Sequence, residues 1–91
     1  MKDKFYNTHY KTTRYIRRLH YGLTSSIKCY EAKKLIENIL HRSQDKKSRL
    51  NGVRFHKVCD DWIEGCTKDL AWIERSIKYF ENKKLGDRNE R

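Results

Sequence analysis

The chain has 91 residues, 36% of them hydrophobic and 37% charged, with 22 Lys and Arg against 12 Asp and Glu for a formal net charge of +10. That length supports one small domain with a single core, two Trp, three Phe and six Tyr argue against disorder, and four glycines with no proline favour long uninterrupted helices. No window approaches the ~18 apolar residues of a membrane span, residues 1–20 lack the apolar stretch of a signal peptide, and an odd three cysteines read as free thiols of a soluble cytoplasmic protein.

The first predicted helix covers residues 4–21. Phe5, His9, Thr12, Ile16, Leu19 and then Leu23 recur at spacings of four and three, which is one face of a helix. Beside them runs a second stripe, Lys4, Asn7, Lys11, Arg14 and Arg18. Tyr6, Tyr10, Tyr15 and Tyr21 are interleaved with these bases. Gly22 is the expected stop, because glycine takes the left-handed conformation at a helix end without a Cβ penalty.

Thr24, Ser25 and Ser26 are good N-cap residues for a second helix over 27–42. Its expected buried face is Cys29, Ala32, Leu35, Ile36, Ile39 and Leu40, with Lys33, Lys34, Glu37, Asn38 and His41 outward. A polar stretch, 43–52, follows with Lys46, Lys47 and Arg49 and ends in the turn signal Asn51-Gly52.

The third segment, 53–84, has the cleanest periodicity. Phe55, Cys59, Ile63, Cys66, Leu70, Ile73, Ile77 and Phe80 recur at spacings of four and three, alternating without a fault from Cys59 on, a heptad-like seam that faces another helix. Glu64 with Lys68 and Glu74 with Lys78 are favourably ordered i,i+4 pairs. Unbroken, such a helix is roughly 45 Å long. Gly65, followed by Thr67 and Asp69, could end one helix and cap the next; a single helix, bent at that point if anywhere, is the preferred reading. The expectation is therefore an all-α domain of three helices over residues 1–84, with the third as spine and 85–91 as a flexible C-terminal tail.

The charge is uneven along this plan. Residues 1–49 hold 13 bases and four acids, a net of +9, whereas residues 50–91 hold nine and eight, a net of +1. Such a field attracts a polyanion and orients it. Bases on one helix stripe can each neutralise a phosphate and neighbouring tyrosines can stack on unpaired bases. The expected contacts are Lys11, Arg14, Arg17, Arg18, Lys33, Lys34, Lys46, Lys47 and Arg49, with Tyr10 and Tyr15 as stacking groups. The plainer alternative is that the tyrosine rings pack into the core while the bases keep the surface soluble. A second class fits the same charge: a small regulator or inhibitor, of the phage or mobile-element type, docking its basic face or exposed aromatic seam on an acidic or nucleic-acid-handling protein.

Other patterns are weaker. Tyr21 to Ser26 between two amphipathic helices invites a helix-turn-helix reading with Ser25, Ser26, Lys28, Lys33 and Lys34 as contacts. Glu31 falls where an apolar residue would hold that motif together, so a plain αα-hairpin is preferred. His56, Cys59 and Cys66, with Cys29 and His41, include zinc-ligand types but lack close Cys-x2-4-Cys knuckles, and core packing is the expectation. No phosphate loop or nucleophile motif suggests an enzyme, a metal or a cofactor. Trp62 and Trp72 widen the apolar stripe of the third helix. A seam longer than a short second helix can cover leaves apolar surface for a homodimer or protein partner, with Trp62, Cys66, Leu70, Ile73, Ile77 and Phe80 at the interface.

Overall fold

A computed structural model of the chain describes residues 4–89, with side chains from 9 to 84. Three α-helices make up the fold, α1 (Lys4–Gly22), α2 (Ser26–Arg49) and α3 (Val53–Asn89). The Cα trace spans 59 × 22 × 15 Å. At 1.5 Å per residue, α1, α2 and α3 are about 28, 36 and 55 Å long, so each must run along the rod. Two short loops then make the order up, down, up, with α2 against both neighbours.

Thr12, Ile16 and Leu19 are the buried stripe of α1, as the spacing predicts. His9 is half-buried on the same side and Leu23 is exposed, while the Phe5, Lys4 and Asn7 side chains lie outside the described residues. The helix does not stop on a left-handed Gly22. Instead the backbone turns at Leu23, whose φ is 20° and whose N–H donates to the Leu19 carbonyl at 2.7 Å. Ser25 then caps α2: its backbone is extended and its hydroxyl accepts from the Lys28 N–H at 3.2 Å.

The sequence ends α2 two turns too soon. Nothing in residues 43–49 breaks a helix, and the segment has its own supports. Ser43 continues the buried row of Ile36 and Ile39 with no exposed surface, donating its hydroxyl to the Ile39 carbonyl at 2.8 Å. His41 and Asp45 approach to 3.6 Å. Lys46, Lys47 and Arg49 place positive charge at the C-terminal end, where the helix dipole favours it. Leu50 closes the helix by donating to the Lys46 and Lys47 carbonyls at 3.1 and 3.3 Å. Leu35, expected inside, is exposed.

The third helix is continuous through Gly65 and on to Asn89, so the backbone expected to leave the helix after residue 84 stays helical; residues 90–91 lie outside the described ones. Glu64 and Lys68 pair at 3.2 Å. Cys66, Ile73 and Ile77 join Ile16, Leu19, Cys29, Ala32, Ile36 and Ile39 in one core, with Trp62, Leu70, Trp72 and Phe80 packed partly buried against it. Phe55 alone of the seam stands exposed, in the first turn of α3.

Candidate nucleic-acid interface

The α1 sequence contains five Lys and Arg, and no Asp or Glu. Its core stripe (Thr12, Ile16, Leu19) fixes what points away. Tyr10, Arg14, Arg17 and Tyr21 follow one another at spacings of four, three and four, so they form one row on the opposite side of the helix. All four are exposed, with Tyr10 at 59% and Tyr21 at 91%. Lys11 and Arg18 are exposed beside this row, on the flank that faces α2. The other flank, His9, Thr13 and His20, faces α3.

Tyr15 does not belong to this surface. It packs half-buried against the core, and its hydroxyl donates to the Lys28 carbonyl of α2 at 3.4 Å. Burial, and then the nearby Glu31 carboxylate, raise its pKa above the usual 10.0. The ring that sequence reading assigned to stacking is thus a strut between α1 and α2. Tyr21, which that reading left out, is the exposed one. The signal was available: Tyr21 is eleven residues, about three whole turns, from Tyr10, whereas Tyr15 adjoins Ile16.

The α2 bases divide. Lys47 pairs with Asp60 of α3, and Lys46 sits 5.9 Å from the centre of the Trp62 ring, so both help to fasten α2 to α3. Lys33 reaches Glu37 at 3.8 Å and, fourteen residues before Lys47, shares its side of the helix. Lys34 and Arg49 are exposed. The continuous basic surface is therefore that of α1, and Lys33 and Lys47 stand apart from it on the α3 side of α2.

Two His–Trp contacts hold α1 over α3. His9 stacks on Trp62 at 5.9 Å with 27° between planes, and His20 lies 5.1 Å from Trp72. Burial lowers the His9 pKa below 6.5, opposed by the nearby Asp69 carboxylate. Asp69 is in turn raised by burial and lowered by His9. These contacts leave the basic row of α1 pointing outward.

The helix-turn-helix geometry is not formed. Helices of 28 and 36 Å cannot cross at the wide angle of that motif within a rod 22 Å across. Ser25 is occupied as a cap, Ser26 is buried, and Ile27, near the position of a buried branched residue, is 67% exposed. The seam residues also take a different place. Cys66, Ile73 and Ile77 are buried within the chain, and Trp62, Leu70 and Phe80 are packed against the same core. At 24 residues, α2 is longer than the helix on which the expectation of an uncovered seam rested. Cys29, Cys59 and Cys66 are free and buried. Among the described residues no three His, Cys, Asp or Glu side chains come together as a metal site, and no helix is long and apolar enough to cross a membrane. No family model matches the chain, and neither does any curated protein or solved structure.

Proposed function

We propose that the protein binds nucleic acid through α1, mainly by phosphate contacts, and carries out no reaction of its own. The observation that supports this is the acid-free outward face of α1, where Lys11, Arg14, Arg17 and Arg18 are exposed together with Tyr10 and Tyr21. Each guanidinium can take a phosphate in a forked pair of hydrogen bonds, and each phosphate neutralised releases counterions. Lys34 and Arg49 of α2 extend the field, and Lys33, Lys46 and Lys47 add to it while fastening the helices. A cytoplasmic location belongs to the same reading, since three unpaired thiols suit a reducing compartment.

The test is a gel shift of the full chain against single- and double-stranded DNA and RNA at low salt, beside the variant Arg14→Glu/Arg17→Glu/Arg18→Glu. All three positions are exposed, so circular dichroism of the variant should match the parent. Retarded complexes that vanish in the variant are expected. Absence of any complex at low salt would overturn the reading, and recovery of one dominant acidic protein from extract would favour a regulator that docks on a protein. A complex unaffected by the triple reversal would move the interface off α1.

A further inference from the structure

The arrangement of rings and charges on α1 says more about the ligand than its charge does. Two shallow grooves lie side by side on this helix. One is lined by Lys11, Arg14, Tyr15 and Arg18, and the other, of about 450 Å³, by His9, Tyr10, Thr13, Arg14 and Arg17. Arg14 forms the ridge between them. Lys11 and Arg18 therefore lie on the α2 side of the ridge, and Tyr10 and Arg17 on the other.

Tyr10 and Tyr21 stand in the same row, about 16 Å apart along the helix axis, with Arg14 and Arg17 between them. Neither ring belongs to the core: both are exposed, and Tyr21 meets the His20 ring edge-on at 6.4 Å. Two exposed rings separated only by cations match the chemistry of a strand whose bases are free. A single strand carries phosphates along one side and unpaired π-faces along the other, and base–aromatic stacking tolerates any sequence. A duplex offers its phosphates on both sides of a groove and hides its π-faces in the stack. The α1 flank facing α2 carries Lys11 and Arg18; toward α3, Arg17 lines grooves beside His9 and His20, which are engaged with Trp62 and Trp72.

We infer that α1 is a stacking platform for single-stranded nucleic acid, with Tyr10 and Tyr21 each seating a base and Lys11, Arg14, Arg17 and Arg18 tracking the backbone. This rests on the nucleic-acid reading above and narrows it to one ligand class. The test uses fluorescence anisotropy of the full chain with labelled oligo-dT and oligo-U of about 15 nucleotides, within the span of known single-strand sites, against a blunt hairpin duplex. Single strands should bind more tightly than the hairpin. Tyr10→Ala and Tyr21→Ala should each weaken single-strand binding about tenfold and leave the salt dependence and the weaker hairpin binding unchanged, while Tyr10→Phe and Tyr21→Phe keep the parent affinity. Hairpin binding as tight as single-strand binding, or alanine variants that bind single strands like the parent, would overturn the platform while leaving phosphate binding by α1 standing. Failure to bind any of the three probes would overturn both.

Discussion

Replacing Gly65 with alanine should stabilise this protein, and the expected size follows from its place in α3. Gly65 lies well inside a helix that runs from Val53 to Asn89, and its φ is not positive. Beyond the adjoining residues and the backbone of its own turns, a Cβ built on it meets no heavy atom within 4 Å, so the methyl group forces no neighbour to move. What remains is the intrinsic difference between the two residues. Glycine in a helix interior is about 0.8–1.0 kcal/mol less favourable than alanine, largely because it loses more backbone freedom on folding. For a domain of this size that corresponds to a rise in Tm of roughly 4–8 °C. Thermal unfolding followed by far-UV circular dichroism reads it directly. A lowered Tm for Gly65→Ala would mean that the backbone at Gly65 is not helical and that α3 is two helices meeting there. An unchanged Tm would remove the propensity argument at this position.

The Ser25 cap gives a second, opposite change: Ser25→Ala deprives the Lys28 N–H of its acceptor and should destabilise the fold by about 1 kcal/mol, measured by urea unfolding. Stability should also fall in acid through His9. Its folded pKa lies below 6.5 because burial disfavours the imidazolium, so the unfolded chain binds the proton more readily. The His9 contribution is thus fully present above 6.5 and is lost as pH falls from there to the depressed folded value; a Tm–pH curve for His9→Phe should lack that step. The three thiols should be inert in the native protein, since all are buried and burial pushes Cys66 up to about 11. Titration with a thiol reagent should show reaction only on unfolding, and rapid modification of the folded chain would place a cysteine at the surface.

Much of the fold was legible because apolar spacing carries it. The faultless four-three alternation from Cys59 to Phe80 marks α3, Thr12, Ile16 and Leu19 mark the inner side of α1, and Thr24-Ser25-Ser26 marks the start of α2. Where a helix is held by something other than apolar residues, that signal fails. The last two turns of α2 are polar, yet Ser43 is small enough to lie in the core with its hydroxyl satisfied by its own helix. Lys46 and Lys47 are fixed by Trp62 and Asp60 across the gap to α3. No local pattern encodes those pairings. The error in length had a further consequence, for it was the shortness of α2 that left the α3 seam bare and suggested a dimer. The candidate site was legible in its charge and less so in its rings. Tyr15 and Tyr21 look alike in a basic segment, and only their phase against Ile16 and Leu19 separates a packed ring from an exposed one. The His9–Trp62 and His20–Trp72 contacts depend on how α1 lies over α3, which no residue spacing within either helix reveals.

Electrostatic capture of phosphates by α1 is measured directly by the salt dependence of binding. Four exposed cations on that face, Lys11, Arg14, Arg17 and Arg18, should give a slope of log K against log [salt] near −3 on single strands, at about −0.7 per phosphate contact. Arg14→Gln/Arg17→Gln/Arg18→Gln should flatten it by about two units. A slope near zero, or one that the triple variant leaves unchanged, would contradict the account.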